Sequence, residues 1–133
     1  MKEIYLTHCS RDKDPGLEHS PQTVTPDRLY TSPGLLDFIA WCRQKGVEWA
    51  IFSDHYGVVF PDEKITWYSK PPDSVTEEEF SLLVDNFVAR LAGYDRIHFY
   101  HRDLETHALF KKIVELARDQ GYMIVELTEE KIN

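Results

Sequence analysis

Three short polar segments of the sequence contain residue types that could do chemistry. Residues 9–13 read CSRDK, residues 53–57 read SDHYG and residues 100–102 read YHR. Each follows a run of apolar residues that predicts a strand, and residues 49–52 lack the alternation of a half-exposed strand. Because parallel strands bring their carboxyl ends to one edge of a sheet, we expect the three segments to converge there.

Three residues in these segments are candidates for catalysis. Asp54 directly follows a predicted buried strand and could act as a general base or position a water molecule. His101 could act as a general acid or base. Cys9 could be a nucleophile if a neighbouring base lowered the pKa of its thiol, although a cysteine at a strand end is more often simply packed.

Other residues of the same segments are candidates for ligand binding. Lys13, together with Arg11, could meet an anionic group such as a phosphate or a carboxylate. Several aromatic residues could stack on a base, although we expect most of them in the core: Tyr30, Tyr56, Trp67 and Tyr68. The full set of candidate ligand-binding residues is Ser10, Lys13, Tyr30, Ser53, His55, Tyr56, Gly57 and Arg102.

A metal site is a weaker interpretation of the same segments. His8, His55 and His101 follow three predicted strands, and with Cys9 or Asp54 they offer ligands suited to zinc. The sequence contains neither the CxxC nor the HExxH spacing. We therefore assign no metal ligands, and the sequence leaves any cofactor unknown.

Helix signals in the sequence predict the elements that position these segments. Ser32 precedes Pro33, and Gly46 follows the apolar pattern, which together bound a first helix. Thr76 and Glu79 form a capping box for a second helix. A third helix is predicted over residues 104–120, between the apolar strand segments at 97–100 and 123–127.

These elements predict one α/β domain over residues 1–133. Strands alternate with helices, so right-handed crossovers give a three-layer α/β/α sandwich with a mainly parallel sheet of about four strands. Residues 11–30 contain three prolines and are predicted to form a loop without a regular element that walls the site. Residues 61–72 include the Pro71-Pro72 pair and are predicted to form a packed excursion.

Composition and net charge indicate which classes of binding partner and which cellular location the sequence favours. The formal net charge is −8, with 23 acidic against 15 basic residues, which argues against binding of duplex nucleic acid through phosphates. The apolar runs are too short to span a bilayer. Two cysteines in unlike settings favour a reduced cytoplasmic location. A charged fraction of 29% with few Asn and Gln is typical of heat-adapted proteins.

The combined motifs resemble those of a known family. Cys9-Ser10 followed by Lys13, LYTSP at 29–33 and S-x-x-Y-G at 53–57 resemble a family of small prokaryotic proteins known only as a domain of unknown function. The chain is more distantly similar to uracil-DNA-glycosylase-like modules attached to some enzymes of modified-guanine synthesis in tRNA. The resemblance covers most of the chain and implies a nucleobase- or nucleotide-related role. The matching positions are Cys9, Ser10, Lys13, Ser53, Asp54, Tyr56 and Gly57.

The leading hypothesis is a cytoplasmic nucleotide- or nucleobase-processing domain of hydrolytic or glycosylase-like activity. Its partner would be a small nucleobase or nucleotide, with Asp54 positioning water and Lys13 and His101 meeting polar ligand atoms. One alternative is a noncatalytic binding or adaptor module with a protein partner or a homo-oligomeric state. Another is a metal-dependent hydrolase, and the sequence leaves open whether the chain is an enzyme.

Overall fold

The computed structural model describes residues 1–102 and 107–128, which form a mixed α/β fold with five strands and four α-helices. The strands are Glu3–His8 (β1), Trp49–Ser53 (β2), Gly57–Val59 (β3), Arg96–His101 (β4) and Ile124–Thr128 (β5). The helices are Pro26–Leu29 (α1), Pro33–Lys45 (α2), Glu77–Arg90 (α3) and Ala108–Asp119 (α4). None of these described helices is long and apolar enough to cross a membrane.

The five strands form one mixed sheet in the order β3-β2-β1-β4-β5. β1 pairs in parallel with β2 and with β4, and β4 pairs in parallel with β5. β3 pairs antiparallel with β2, so the prediction of about four strands missed one. β3 has only three residues and follows β2 after a tight turn, so the short apolar run Val58-Val59-Phe60 was not predicted as a separate strand.

Gly57 is required where the chain turns from β2 into β3. Its φ is +80°, a region that a residue with a side chain rarely adopts. A Cβ atom at this position would also clash with the side chain of Asn86 on α3. Asn86 Oδ1 accepts a hydrogen bond from Val58 N at 2.9 Å, so the same close approach holds β3 against α3.

Hydrophobic residues pack against both faces of β2, as the absence of alternation predicted. All five residues of this strand are buried. Ala50 and Phe52 pack in a core cluster with residues of α3 and α4. Trp49 and Ile51 pack in a second cluster with residues of α2. Residues that follow β2 therefore leave a strand that is held firmly from both sides.

Most predicted helix boundaries are confirmed. α2 has Ser32 before its first residue and ends at Gly46, whose φ of +68° is left-handed. The Thr76 capping box at α3 is present, with Thr76 N donating to Glu79 Oε1 and Glu79 N to Thr76 Oγ1, both at 3.1 Å. The third predicted helix corresponds to α4. Its predicted start at Leu104, and Asp103 before it, lie outside the described residues.

The prediction that residues 11–30 contain no regular element is wrong. A 3₁₀ turn forms at Pro15–Leu17 and α1 forms at Pro26–Leu29. In both, proline takes a first position, where its missing N–H costs no hydrogen bond. Lys13 also forms a β-bridge with Tyr30, so the loop closes back on itself beside the end of β1.

Candidate functional site

A cavity of about 400 Å³ lies at the carboxyl ends of β1 and β2. Its walls come from these strand ends, the loop after β1, residues 67–72 and the first turn of α4. The lining residues are His8, Cys9, Ser10, Arg11, Lys13, Asp54, Trp67, Tyr68, Ser69, Lys70, Pro71, Pro72, His107 and Phe110. The edge of the sheet at which the polar segments were expected to converge therefore has a pocket of small-molecule size.

Asp54 is a buried carboxylate in the wall of this cavity. It is only 3% exposed because it directly follows the buried strand β2. Burial raises the pKa of the Asp54 carboxyl, and a hydrogen bond from Cys9 and the charge of Lys13 offset part of that shift. No residue in the described ranges forms an ion pair with it. Asp54 is therefore a stronger base than an ordinary surface aspartate.

Cys9 lies beside Asp54, and its thiol Sγ donates to Asp54 Oδ1 at 3.6 Å. Burial raises the pKa of the Cys9 thiol to about 11, and the charge of Asp54 adds to the shift. The thiol therefore stays protonated near neutral pH, which does not favour the predicted role as a nucleophile. Its geometry instead suits a group that donates to Asp54 and fixes the direction of the carboxylate.

Lys13 brings a cation to the same wall. Its Nζ lies 4.2 Å from the centroid of the Tyr68 ring and 5.8 Å from that of Tyr30. Its hydrogen bond is a long one, 3.5 Å to the carbonyl oxygen of Arg11. Burial lowers the pKa of the Lys13 ammonium. Aromatic faces thus hold this cation in position without neutralising it.

Ser53 and Tyr30 support the site from behind rather than line it. Ser53 Oγ accepts hydrogen bonds from the backbone N–H groups of His55 and Tyr56, both at 3.0 Å. It donates to the hydroxyl of Tyr68 at 2.9 Å, and that hydroxyl lies 2.6 Å from the hydroxyl of Tyr30. This buried network fixes the turn after β2 and the position of Tyr68.

His55, Tyr56 and Gly57 also lie outside the set of residues that line the cavity. The His55 ring stacks on Tyr68 with centroids 5.1 Å apart. The hydroxyl of Tyr56 lies 2.7 Å from Thr66 Oγ1. Since Lys13 and His55 both pack against its ring, Tyr68 is a supporting wall rather than an open stacking surface. Of the four aromatics considered for stacking, Trp67 and Tyr68 line the cavity.

Arg102 and His101, the two candidate residues at the end of β4, do not line the cavity beside Asp54. Arg102 donates to Thr7 Oγ1 at 3.3 Å, to the carbonyl oxygen of His8 and to the carbonyl oxygen of Cys9 at 3.1 Å. Arg102 lines a second, polar cavity of about 540 Å³, which shares His8, Cys9, Ser10 and Arg11 with the first. His101 Nε2 lies 3.0 Å from Glu126 Oε1, and His101 is not among the lining residues of either cavity.

The three strand-end histidines do not form a metal site. Within residues 1–102 and 107–128, no group of three or more His, Cys, Asp or Glu side chains could hold a metal ion. His8 packs against Phe110 with ring centroids 5.3 Å apart, whereas His55 packs on Tyr68 and His101 contacts Glu126. Burial and the charge of Arg102 lower the pKa of His8 to about 3, so its ring is neutral near neutral pH.

Sequence reasoning named Trp67 and Tyr68 as aromatics that could stack on a base, but it missed the rest of the wall at residues 69–72 and the wall contributed by α4. Lys70 lines the cavity and forms an ion pair with Glu79, the residue that completes the capping box of α3. Phe110 was predicted as a core residue, and it is 2% exposed while also lining the cavity. The available sequence signal for the wall at residues 67–72 was Lys70, which lies close to Trp67, Tyr68 and the Pro71-Pro72 pair.

Comparisons with known proteins found no matching family model, no matching curated protein and no matching solved structure. The resemblance to the small prokaryotic family and to the uracil-DNA-glycosylase-like modules therefore stays a prediction. The geometry of the cavity is the ground on which a function can be assigned.

Proposed function

We propose that this chain binds a nucleobase-containing small molecule in the 400 Å³ cavity and hydrolyses its N-glycosidic bond. The observation that carries the proposal is Asp54, a buried carboxylate with a raised pKa and no ion pair among the described residues. Buried carboxylates of this kind are characteristic of sites that move protons. The cavity volume is within the ordinary range for small-molecule sites.

In the proposed reaction, Asp54 takes a proton from a water molecule as the water oxygen bonds to the anomeric carbon of the sugar. The carbon–nitrogen bond breaks, its electron pair leaves with the base, and the base takes a proton from solvent. Asp54 then releases its proton to solvent, which restores the carboxylate. A general base of raised pKa accelerates such a step by about 10²- to 10⁴-fold. The thiol of Cys9 directs the Asp54 carboxylate through its hydrogen bond.

The other walls supply binding rather than chemistry. Trp67 offers an apolar ring surface in the cavity, and stacking of a base on such a ring contributes about 1 to 3 kcal/mol. Phe110 is 2% exposed and stacks against His8, so it closes the wall rather than offering a free ring face. Lys13 meets polar ligand atoms. His101 contacts Glu126 and has no ligand contact in this proposal, unlike in the hypothesis drawn from the sequence.

The proposed setting is a prokaryotic, cytoplasmic protein of the three-layer α/β/α class with a mainly parallel sheet. The supporting observations are parallel pairing of β1, β2, β4 and β5 and burial of helix residues against both faces of β2. The motif resemblance to uracil-DNA-glycosylase-like modules supports the same assignment. The net charge of −8 supports small substrates rather than duplex nucleic acid.

Base release from a panel of nucleosides and nucleoside monophosphates, followed by chromatography, tests the proposal. The wild-type chain should release base from at least one of them, and Asp54→Asn should lower the rate at least about 100-fold. The matched control is Asp37→Asn, which makes the same change at an exposed position on α2 and should keep the wild-type rate.

Two results would overturn the proposed reaction. One is release at an unchanged rate by the Asp54→Asn variant. The other is binding of nucleosides or nucleotides without any release of base by the wild-type chain, which would assign a noncatalytic binding module instead. Absence of both binding and release would overturn the nucleobase assignment as a whole.

A further inference from the structure

The described lining of the cavity holds more basic than acidic side chains, although the chain as a whole has a net charge of −8. Among the described lining residues, Arg11, Lys13 and Lys70 are basic and Asp54 is acidic, and Lys70 forms an ion pair with Glu79. The two lining histidines do not change this balance. Burial and Arg102 lower the pKa of His8 to about 3, and His107 Nε2 lies 2.7 Å from Asp73 Oδ1. Such a concentration of one sign in a cleft focuses the field on an oppositely charged ligand.

The ammonium of Lys13 is the most informative of these cations. It is half-buried and forms no ion pair within the described residues. The Tyr68 ring, 4.2 Å away, stabilises the ammonium without cancelling its charge. Burial lowers the pKa of Lys13, because the charged form is less well solvated there. An anion bound in the cavity would stabilise the charged form.

Lys70 also lines the cavity, but its charge is already matched. Its side chain is only 18% exposed, and its Nζ forms an ion pair with Glu79. Glu79 also accepts from Thr76 N at 3.1 Å, so the first turn of α3 fixes the carboxylate that holds the lysine. Arg11, on the loop after β1, is exposed. Among the described lining residues, Lys13 is therefore an ordered ammonium without an ion pair, and Arg11 adds an exposed guanidinium.

We propose that the cavity recognises a phosphate group, held by Lys13 with Arg11 at the entrance, so that the ligand is a nucleotide rather than a nucleoside. This inference rests on the proposed function and names the substrate class for the same site. Lysine binds phosphate as a point charge, and an arginine adds directed hydrogen bonds. The Trp67 ring in the wall of the same cavity offers a flat surface on which the base could stack.

Calorimetric titration with matched pairs of ligands tests the inference. The probes are uridine, cytidine, adenosine and guanosine, their 5′-monophosphates, ribose 5-phosphate and inorganic phosphate. At least one monophosphate should bind about tenfold or more tightly than its nucleoside, and the difference should shrink at high salt because the phosphate contact is electrostatic. Lys13→Gln should abolish that difference. Lys111→Gln, which removes an exposed charge on α4, should preserve it.

The outcomes separate the two proposals. Equal affinity for nucleosides and monophosphates would overturn the phosphate site and leave recognition of the base intact. Lys13-dependent binding of ribose 5-phosphate or inorganic phosphate, with no gain from any base, would support the phosphate site and overturn the nucleobase assignment. Binding of monophosphates that is unchanged in Lys13→Gln would overturn the assigned position of the phosphate.

Discussion

The ends of β2 and β4 both present polar side chains at one edge of the sheet, yet they differ in how those side chains are satisfied. At the end of β4, Arg102 donates to Thr7 Oγ1 and to two carbonyl oxygens of β1, and His101 contacts Glu126. At the end of β2, Asp54 has a long hydrogen bond from Cys9 and no ion pair among the described residues.

The difference distinguishes the end of β4, where polar residues stabilise the fold, from the end of β2, where they are available to a ligand. Charged groups that already bind backbone or partner groups gain little from a ligand, because they would have to give up existing contacts. Lys13 faces the cavity with a half-buried charge that has no ion pair among the described residues, and an anionic ligand would stabilise it. Asp54 is a buried carboxylate whose pKa is raised, which leaves it available to accept a proton. Polar residues at a sheet edge therefore indicate a binding site only where the protein itself leaves them unsatisfied.

Replacement of Arg102 tests whether the residues at the end of β4 stabilise the fold, and it should have the largest effect on stability. Arg102→Met removes hydrogen bonds to Thr7, His8 and Cys9 and should lower the free energy of unfolding by about 3 kcal/mol. Lys13→Met removes one long hydrogen bond and a contact with Tyr68, and should cost about 1 kcal/mol or less. Urea denaturation measures both values, and equal losses would break the comparison.

The pH dependence of stability should show that the His8 ring stays neutral in the folded chain. Burial and Arg102 lower the pKa of His8 to about 3 from 6.5. Below pH 6.5 the unfolded chain binds a proton that the folded chain does not, so this contribution to stability is present above pH 6.5 and is lost as pH falls. Between about pH 7.5 and about pH 5 the loss from this residue should be about 2 kcal/mol.

Denaturation of His8→Gln at both pH values isolates that contribution. The variant should lose about 2 kcal/mol less than the wild-type chain over the same range. His19→Gln replaces an exposed histidine, with 79% of its side chain accessible, and should reproduce the wild-type slope. A His8→Gln slope equal to the wild-type slope would mean that His8 does not stay neutral in the folded chain.

Glu126 gives the smallest predicted effect and contrasts directly with Asp54. Burial alone would raise the pKa of Glu126, but hydrogen bonds from His101 and Arg118 lower it below the ordinary value. Glu126→Gln should cost less than about 1 kcal/mol, since these pairs are solvent-exposed, and should leave ligand affinity unchanged. Loss of nucleotide binding in this variant, measured by calorimetry, would place a functional group on β5, where Glu126 contacts His101 at the end of β4.

Local sequence signals predicted the parts of the fold that local chemistry decides. Thr76 with Glu79, and Ser32 with Gly46, bound α3 and α2 because caps satisfy helix ends through residues close in sequence. β3 was missed because three residues give too little pattern, and α1 because a four-residue helix gives no periodicity. The position of the cavity followed from the topology of parallel strands.

The contacts that each polar side chain makes in the folded chain were not predictable, because its partners lie far away in the sequence. Arg102 contacts Cys9 O, 93 residues away in the chain, and only the folded register of β1 against β4 brings them together. Lys70 was likewise missed, since residues 61–72 have no periodic pattern and the segment reaches the cavity through long-range packing. Polar residues that directly follow β2 and β4 thus have different roles, although the sequence pattern alone predicted the same role for both.

The most direct test of the account maps ligand contacts on the labelled chain by NMR, with uridine 5′-monophosphate or whichever monophosphate binds most tightly. Backbone amide shifts should change most at residues 9–13, at Asp54 and at residues 67–70, because these line the cavity. The amides of His101 and Glu126 should change little. Shift changes centred on His101 and Glu126, or no changes with any monophosphate, would contradict the assignment of the cavity beside Asp54 as the ligand site.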